Sequence, residues 1–487
     1  MNGNTMEYLL NELSQDGQAG FALPEIDVPM QPQDQLLPRE YRRNAPPELP
    51  QIGEPQLRRH FTRMSQSNYC LATQFYPLGS CTMKYNPPVN DRISRLPGIA
   101  CLHPYQPEET MQGLIEILAS LEKSLCEITG MDAFTLQPAA GAHGEFTGLL
   151  IIRAYFRSIK QERKKIVVPD SAHGTNPASA ALAGFEIVPL ASEPDGSLDP
   201  EKVRKVMTPD VAAIMLTVPN TLGVFEHNIL AISEIAHKNG SLLYYDGANL
   251  NAILGQARPG DFGFDIIHVN PHKTFSTPHG GGGPGAGPVG VKKALEQFLP
   301  VPRIAESGYR YFFDYNKPHS IGRVRSFYGN VPVLVKAYAY IRALGKEGLK
   351  KVSEHAVLNA NYLLQLLKDD LPAPAGNRCM HEFVLSAKPM AAKGVRALDI
   401  AKRLLDYGYY APTIYFPLIV EEALMVEPTE TETKSDLDAF AGTIKKILAE
   451  ASENPELLKK APSTTPVTRL NEVDAARKPV LTWLNKK

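Results

Sequence analysis

The stretch Asp265-Ile-Ile-His-Val-Asn-Pro-His-Lys-Thr-Phe-Ser-Thr-Pro-His-Gly-Gly-Gly-Gly-Pro-Gly285 is the most informative part of this sequence. Lys273 follows an apolar, strand-like run and is soon followed by Gly280–Gly283. A strand end gives the lysine a rigid base, and glycines let the backbone approach a ligand closely. A desolvated lysine there could hold a carbonyl cofactor as a Schiff base. A surface lysine beside a flexible glycine loop is the alternative that this segment leaves open.

Composition narrows the class of protein. The chain has 487 residues, 43% hydrophobic and 21% charged, as expected for a globular enzyme with two or more core-bearing units. Its formal net charge of -1 predicts no nucleic-acid partner and no membrane partner. The sequence shows no apolar run of membrane-spanning length and no secretory or transit signal. Five cysteines without a C-x-x-C pair predict a cytoplasmic protein with reduced thiols and no metal centre.

The two ends of the chain differ from its middle. Residues 1–60 are predicted to form an extended N-terminal arm, because 21–60 are rich in proline and charge. An arm of this kind cannot build its own core, so it must be disordered or wrap a neighbour. Residues 453–487, which carry prolines, lysines and Trp483, are predicted to form a tail that packs on a partner or on the body.

Strand-like and helix-like segments alternate in the middle of the chain. Strands are predicted at 166–168, 186–190, 212–218, 242–245 and 265–269, and helices at 109–129, 146–156 and 230–239. This alternation predicts an α/β fold with a mostly parallel central sheet, assigned to a large domain at 61–330. A smaller C-terminal α+β domain is predicted at 331–452, with helices at 331–344, 349–367, 397–407 and 433–451 and a strand at 381–385.

Polar residues follow several of these strands, where a parallel sheet binds its ligands. Asp246 ends one strand and is suited to pair with the protonated nitrogen of a pyridine ring, which keeps the ring an electron sink. An aspartate that only caps its loop is the commoner alternative. His173 follows another strand and could stack on an aromatic cofactor and move protons, or it could be an ordinary polar loop residue.

Three further segments offer groups that could bind anions or hydroxyls. Gly141, Ala142 and His143 precede an apolar helix, where backbone N–H groups and the helix dipole favour a phosphate. Asn220 follows a strand and could hydrogen-bond a cofactor hydroxyl or simply form a turn. Arg323 and Arg325 could clamp an anion or form a solvated basic turn.

The polar loop 76–87 could bind a small carboxylate, or it could be an irregular connection. Its candidate donors are Ser80, Cys81, Thr82 and Lys84.

Together these segments closely resemble the P-protein family of the glycine cleavage system, the pyridoxal-phosphate-dependent glycine dehydrogenases (decarboxylating). The matching stretches are Tyr76-Pro-Leu-Gly-Ser-Cys-Thr-Met-Lys, Ala140-Gly-Ala-His-Gly-Glu, Ser171-Ala-His-Gly-Thr-Asn-Pro-Ala-Ser, Pro219-Asn-Thr-Leu-Gly, Tyr245-Asp-Gly-Ala-Asn, His272-Lys with its glycine run, Pro412-Thr-Ile-Tyr-Phe-Pro and Val426-Glu-Pro-Thr-Glu-Thr-Glu. They occur in order between about residues 60 and 430 and are jointly specific. Val218 and Pro271 depart from the expected pattern near the cofactor, without removing a key group.

The resemblance implies an aspartate-aminotransferase-like fold (fold type I) and pyridoxal 5'-phosphate as cofactor. The length is similar to the carboxyl-terminal half of the family's long form, which in many bacteria and archaea is a separate subunit 2. It implies subunit 1 as a partner, with two copies of each chain in a heterotetramer. It also implies glycine as substrate and the lipoyl arm of the H-protein as acceptor of the aminomethyl group.

The resemblance also implies roles for individual residues. Lys273 would hold the cofactor, Asp246 its ring nitrogen, and His173 would stack on the ring and take part in catalysis. The phosphate would bind Gly141, Ala142 and His143 with help from His272, and Asn220 would lie near the ring hydroxyl. Ser80, Cys81, Thr82 and Lys84 would bind the substrate.

Two rival functions remain open from the sequence. The first is another enzyme of the same fold, such as an aminotransferase or an amino-acid lyase, which the sheet and the lysine fit equally well. The second is a non-catalytic subunit that scaffolds a partner, which suits the arm and the tail. The scaffold does not explain why Lys273, Asp246 and His173 all follow predicted strands.

Overall fold

A computed structural model describes residues 7–18, 20, 22–45, 47–280 and 285–482 of the chain. The glycines at 281–283, Trp483 and part of the predicted arm lie outside the described residues. The chain divides into two units, one formed by Met1–Thr73 with Pro462–Lys487 and the other by Gln74–Ala461. The finer division at 61–330 and 331–452 stays a prediction.

The first unit contains short helices and much extended backbone. Its helices are α1 (Leu10–Leu13), α2 (Gln33–Leu36), α3 (Glu54–Gln66) and, near the C-terminus, α17 (Glu472–Arg477). Glu7 lies beside α3, where its carboxylate accepts hydrogen bonds from Arg63 Nε at 2.8 Å and Nη2 at 2.5 Å. Many apolar side chains of this unit are exposed, including Leu23, Met30 and Leu481.

The second unit contains the remaining helices and all the strands of the described part of the chain. The helices are α4 (Pro88–Ser94), α5 (Pro97–Ala100), α6 (Gln112–Thr129), α7 (Gly141–Ser158), α8 (Thr175–Leu182), α9 (Pro200–Val206), α10 (Ile229–Lys238), α11 (Pro271–Thr274), α12 (Val331–Leu367), α13 (Lys388–Ala391), α14 (Ala397–Asp406), α15 (Lys434–Glu453) and α16 (Pro455–Lys459). The strands are β1 (Ala133–Thr135), β2 (Lys165–Pro169), β3 (Glu186–Leu190), β4 (Val211–Thr217), β5 (Leu242–Gly247), β6 (Ile266–Val269), β7 (Val289–Val291), β8 (Arg303–Ser307), β9 (Arg310–Asp314), β10 (Phe383–Ser386), β11 (Thr413–Ile414) and β12 (Ala423–Val426).

Seven strands form the central sheet, in the order β1-β7-β6-β5-β4-β2-β3. Strands β3, β2, β4, β5 and β6 run parallel, whereas β7 runs antiparallel to both of its neighbours. The mostly parallel sheet predicted from the sequence is therefore confirmed, and its predicted strands lie within two residues of the observed ones. The antiparallel edge was not predicted, because β1 and β7 have only three residues each.

The strands of this sheet are buried on both faces. In β4, Ile214 and Leu216 pack in one core cluster with residues of α6 and α10. Ala213 and Met215 point the other way and pack with residues of α7. Such two-sided burial is the reason that parallel strands read as continuous apolar runs.

Helix α7 lies in direct backbone contact with the sheet at two points of its buried face, where the residues are glycines. A Cβ atom at Gly144 would come within 2.8 Å of the Gly287 carbonyl oxygen. A Cβ atom at Gly148 would come within 2.5 Å of the Tyr244 ring. Only glycine permits this approach, which brings the start of α7 to the carboxyl ends of β5 and β6.

The C-terminal part of the second unit has a separate antiparallel sheet, ordered β10-β12-β11. Its core includes Phe383, Leu424 and Phe440. The long α12 is interrupted at Gly345 (φ 59°, ψ -174°), which accounts for the two helices predicted at 331–344 and 349–367. The smaller α+β region expected from the sequence is confirmed.

The close approach of α7 gives a test by substitution. Gly148→Ala should lower the free energy of unfolding by about 1–3 kcal/mol, because the new methyl group overlaps the Tyr244 ring. The control is Gly442→Ala in α15, where a Cβ atom meets nothing within 4 Å; it should stabilise the chain by about 0.5–1 kcal/mol. Denaturant unfolding of both variants measures the difference. Equal effects of the two substitutions would contradict the packing described for α7.

Candidate active site

A cavity of about 170 Å³ opens where several strands of the central sheet end. It is lined by residues that follow β2, β4, β5 and β6, by the first residues of α7, and by Ser80 from the loop 76–87. The lining residues are Ser80, Gly141, Ala142, Glu145, His173, Thr175, Thr217, Thr221, Asp246, Ala248, Asn249, Asn270, His272 and Lys273. Seven of the predicted site residues are among them: Ser80, Gly141, Ala142, His173, Asp246, His272 and Lys273.

Lys273 reaches the cavity from the short helix α11, four residues after the end of β6. Its Nζ donates a hydrogen bond to the backbone carbonyl of Ser80 at 2.8 Å. This contact joins the lysine to the loop 76–87, although the two segments are far apart in sequence. The amine is therefore held at the cavity wall rather than extended into solvent.

Asp246 is buried at the end of β5, and its carboxylate is held by three groups. Asn176 Nδ2 donates to its Oδ2 at 2.8 Å, and the Ala248 backbone N–H donates to its Oδ1 at 2.9 Å. His268 Nε2 lies 3.2 Å from Oδ1. Burial alone would raise the pKa of Asp246, but the charge of His268 and these hydrogen bonds outweigh it and hold the pKa well below its usual range. Asp246 is therefore ionised at neutral pH.

His268 is fully buried in β6, directly beside Asp246 in the sheet register. Its Nδ1 lies 3.0 Å from the hydroxyl of Tyr244. Burial lowers the pKa of His268, but the carboxylates of Asp246 and Glu145 outweigh burial and raise it. The imidazolium therefore offsets the buried negative charge.

Glu145 in the second turn of α7 completes this network. It accepts hydrogen bonds from the hydroxyls of Thr175 (2.8 Å) and Ser179 (3.1 Å) and from Asn176 Nδ2 (3.2 Å). Burial and the charge of Asp246 raise the pKa of Glu145. Since Asn176 contacts both carboxylates, the start of α8 fixes their separation.

Helix α7 begins at Gly141, so the three residues predicted to bind phosphate form its first turn. The backbone N–H groups of such a turn have no acceptor within the helix, and the helix dipole makes them attractive to an anion. Gly141 and Ala142 line the cavity, but His143 does not. The His143 ring instead accepts a hydrogen bond from the Ala139 N–H at 3.1 Å, and burial followed by the charge of Arg325 lowers its pKa.

The other two imidazoles of the cavity wall are neutral at physiological pH. Burial lowers the pKa of His272 to about 3, helped by the neighbouring His279, whose ring packs edge-on at 4.7 Å. His272 therefore adds no charge to a phosphate site. Burial and the charge of Lys273 also lower the pKa of His173, which is suited to accept a proton.

Unpaired buried atoms show that the cavity is shaped for a polar ligand. Within the described part of the chain, Thr217 Oγ1 and Asn270 Oδ1 are buried without a hydrogen-bond partner. Both residues line the cavity. Buried polar atoms are rarely left unpaired, so a polar group entering the cavity would satisfy them. The cavity is surrounded by the amine of Lys273, the ionised carboxylate of Asp246 and the N–H groups of the first turn of α7. These groups fit the carbonyl, the ring nitrogen and the phosphate of pyridoxal phosphate.

Asn220 does not line this cavity, and its contact with a cofactor hydroxyl stays a prediction. Its Nδ2 donates to the Gly196 carbonyl at 2.7 Å. Its Oδ1 accepts from the N–H groups of Leu222 and Val224 at 3.0 and 3.1 Å. These bonds engage the amide in forming the turn, and the next residue, Thr221, lines the cavity instead.

Of the four predicted substrate-binding residues, Ser80 alone lines the cavity. Thr82 is turned toward Glu427, to which its N–H and its hydroxyl donate at 2.8 and 2.5 Å. Cys81 is half-buried, and burial raises the pKa of its thiol to about 11. The thiol is therefore protonated at neutral pH and is a poor nucleophile.

Lys84 is fully buried and its amine is engaged within the protein, so its role in substrate binding stays a prediction. Its Nζ lies 2.8 Å from Glu430 Oε1 and 3.1 Å from the Thr274 carbonyl oxygen. The hydroxyl of Tyr340 is 3.4 Å away. This buried ion pair joins the loop 76–87 to the turn that follows Lys273.

Sequence reasoning missed several residues of the site. His268 reads as one more member of an apolar strand, and only its register beside Asp246 reveals its role. Glu145 and Asn176 stand inside quoted motifs, but the hydrogen bonds by which Asn176 joins Glu145 to Asp246 depend on tertiary packing.

Among the described residues no helix is both long enough and apolar enough to cross a membrane.

Comparison with known proteins gives a consistent answer. A family model for the glycine cleavage system P-protein matches residues 28–306, and one for the C-terminal domain of glycine dehydrogenase matches residues 352–463. The "Probable glycine dehydrogenase (decarboxylating) subunit 2" of Endomicrobium trichonymphae is 62% identical over 479 residues, or 98% of this chain and 99% of that one. The protein of the same name from Thermotoga maritima is 57% identical over 97% of this chain and 99% of its own.

Solved structures share the fold. A crystal structure of an inhibitor-bound glycine decarboxylase (P-protein) of the glycine cleavage system superimposes with a TM-score of 0.70 at 21% identity, covering 85% of this chain and 94% of that one. A cysteine desulfurase from Thermococcus onnurineus NA1 gives a TM-score of 0.60 at 15% identity, covering 78% and 95%. The aspartate-aminotransferase-like fold expected from the sequence is thereby confirmed.

The buried ion pair gives the second test. Lys84→Met should destabilise the chain by about 3–5 kcal/mol, because it leaves the Glu430 carboxylate buried without its cation. The double variant K84M/E430Q should recover much of the loss. Lys434→Met, which removes one partner of an exposed pair with Asp438, should have little effect in the same denaturant unfolding experiment. Similar losses for K84M and K434M would show that the buried pair is not structural.

Proposed function

The chain belongs to the glycine cleavage system P-protein family, and from this premise we propose that it is the lysine-bearing subunit 2 of that enzyme. In this function it decarboxylates glycine with pyridoxal phosphate. The aminomethyl group that remains passes to the lipoyl arm of the H-protein.

One observation carries the proposal. Lys273 and Asp246 follow adjacent parallel strands, β6 and β5, and line the same cavity. A lysine amine and an ionised carboxylate on one cavity wall meet the two requirements of pyridoxal chemistry, a covalent anchor and a partner for the ring nitrogen. A scaffold subunit has no need of either group.

The residues present would hold each part of the cofactor. Lys273 Nζ would hold its carbonyl carbon, Asp246 its ring nitrogen, and the N–H groups of Gly141 and Ala142 its phosphate. Pyridoxal phosphate, when bound, supplies a carbonyl that captures an amine and a ring that accepts the electrons left when carbon dioxide departs.

The protein groups around the cavity perform the remaining tasks. The ionised Asp246, supported by His268 and Asn176, keeps a negative charge where a cationic ring nitrogen would need it. His173 is neutral and lies on the cavity wall, so it can accept a proton and return it. Thr217 Oγ1 and Asn270 Oδ1 are free to hydrogen-bond polar groups of the cofactor or of glycine.

A second chain, subunit 1, is part of this proposal, with two copies of each subunit in the assembly. The relatives that resemble this chain along nearly its whole length are named as subunit 2. The first unit exposes large apolar side chains on extended backbone, among them Leu23, Met30, Leu49 and Leu481. Segments of that kind gain stability by packing on a partner. The cytoplasmic location stays a prediction.

Exchange of labelled bicarbonate into the carboxyl group of glycine tests the function. The purified chain is mixed with pyridoxal phosphate and lipoylated H-protein, with and without subunit 1. We expect exchange when both partners are present, and Asp246→Asn should reduce it at least about 100-fold, because the ring nitrogen loses its anionic partner.

Two controls make the exchange assay decisive. Asp369→Asn changes an exposed aspartate just after α12, outside the cavity lining, and should leave the rate within about twofold, as surface changes normally do. Transfer of the amino group to a keto acid without any exchange would contradict the proposal and favour an aminotransferase.

A further inference from the structure

Three titratable side chains that the proposed function does not use lie together beneath the loop 76–87. They are His381, Glu382 and Glu427, all at most 1% exposed. One ligating atom of each lies within 4.8 Å of the others. His381 Nε2 is 3.7 Å from Glu382 Oε1 and 3.8 Å from Glu427 Oε1. Burying charged groups is unfavourable unless they are paired or hydrogen-bonded, so the contacts of this cluster must stabilise it.

The two carboxylates hold the turn that contacts Lys273. Glu382 Oε2 accepts a hydrogen bond from the Ser80 N–H at 2.7 Å. Glu427 accepts from the N–H and the hydroxyl of Thr82 at 2.8 and 2.5 Å. Ser80 and Thr82 both have positive φ, 62° and 50°, a conformation that residues other than glycine adopt at a cost. The turn is therefore fixed by side chains that approach from the small sheet.

The same turn is the acceptor for the lysine amine. The Ser80 carbonyl accepts the hydrogen bond of Lys273 Nζ at 2.8 Å. The Ser80 peptide units thus connect Glu382 on one side to Lys273 on the other. A Cβ atom at Gly79 would lie 2.2 Å from the Met425 side chain, so the chain before the turn is also seated firmly on β12.

His381 does not supply the positive charge that two carboxylates would need. Both of its ring nitrogens lack a hydrogen-bond partner among the described residues. Burial, together with the charge of Lys273, lowers the pKa of His381 to about 3. The imidazole is therefore neutral, and the carboxylates are left with Lys273 as the cation that faces them.

The other titratable groups around the pair add no positive charge. Burial raises the pKa of the Cys81 thiol to about 11 and that of the Cys379 thiol to about 12. Burial also lowers the pKa of His279, whose ring faces Glu427 and Lys273. All three groups are neutral near pH 7, so they cannot balance two anions. Two buried carboxylates with oxygens within 4.8 Å of each other and a single cation facing them favour a state in which one of the two is protonated.

We propose that Glu382 and Glu427 share one proton and, as a singly charged pair, position the Ser80–Thr82 turn against Lys273. The inference rests on the proposed function, because in that function Lys273 holds the cofactor. Glu382 and Glu427 are positioning residues in this account. They act on Lys273 through the Ser80 peptide and do not themselves line the cavity, although Glu382 Oε1 also accepts a hydrogen bond at 3.3 Å from Nδ2 of Asn249, which does.

The first test is cofactor affinity, measured by titrating the full-length chain with pyridoxal phosphate. Glu382→Ala and Glu427→Ala should weaken binding about tenfold or more, because each leaves N–H groups of the turn without their buried acceptor. Glu382→Gln and Glu427→Gln keep an acceptor oxygen and should bind within about twofold of the unmodified chain. Alanine variants that bind as tightly as the glutamine variants would overturn the positioning role.

The second test uses pH and does not need the cofactor. Burial raises the pKa of both glutamates, and the charge of Glu427 raises that of Glu382 further, so the folded chain retains a proton that the unfolded chain releases. Thermal stability should therefore fall as pH rises above 4.5, the ordinary value for a glutamate. Either single glutamine substitution should lessen this fall, because it removes a buried carboxyl and the repulsion together. E382Q/E427Q should lessen it by less than the sum of the two single effects.

A matched pair controls for independent effects. Glu226 is another buried glutamate with a raised pKa, and its hydrogen bonds come from other residues, the N–H groups of Leu198 and Asn228. Effects of E226Q and E382Q on the pH dependence should add, whereas those of E382Q and E427Q should not. Additive effects for the close pair would overturn the shared proton. The shared proton would also be overturned if the unmodified chain bound one metal ion per chain and the E382Q variant bound none.

The outcomes separate this inference from the function on which it rests. If the unmodified chain binds pyridoxal phosphate on Lys273 and the substitutions change neither affinity nor pH dependence, the pair has no positioning role and the function stands. If no pyridoxyl adduct forms on Lys273, the function fails. The stability cycle would still report whether the proton is shared.

Discussion

The closeness of α7 to the central sheet is the constraint on which the rest of the site depends. Glycines at 144 and 148 let the helix backbone lie directly against the side chains of β5 and β6. This packing buries Asp246 and His268 beneath the helix and directs the first N–H groups of α7 at the strand ends. Any larger side chain on this face would lift the helix and separate the anion-binding turn from the buried carboxylate.

Buried charge is balanced locally throughout the site. Asp246 is stabilised by His268 and by hydrogen bonds, and it stays ionised although it is buried. Lys84 is balanced by Glu430 in the same way. Glu382 and Glu427 follow a different rule, because no imidazolium lies between them and a shared proton has to reduce their charge. Each arrangement holds a loop in place near the cavity.

The sequence predicts the parts of this protein that local pattern controls. Buried parallel strands are continuous apolar runs, so β2 to β6 could be located, and the residues that follow them were candidates for the site. Positions that depend on tertiary contacts could not be predicted. Nothing in the loop 76–87 shows that Ser80 faces the cavity while Thr82 and Lys84 turn away toward Glu427 and Glu430. Asn220 follows a strand as a site residue would, but its amide forms hydrogen bonds within its own turn and to Gly196, which the sequence does not show.

The central claim is that Lys273 is the residue that holds pyridoxal phosphate. The most direct measurement is borohydride reduction of the full-length chain with bound pyridoxal phosphate, followed by peptide mapping. The account predicts a phosphopyridoxyl group on Lys273 and none on Lys84, whose amine is buried in an ion pair. A label on another lysine, or no label although the cofactor is bound, would contradict it.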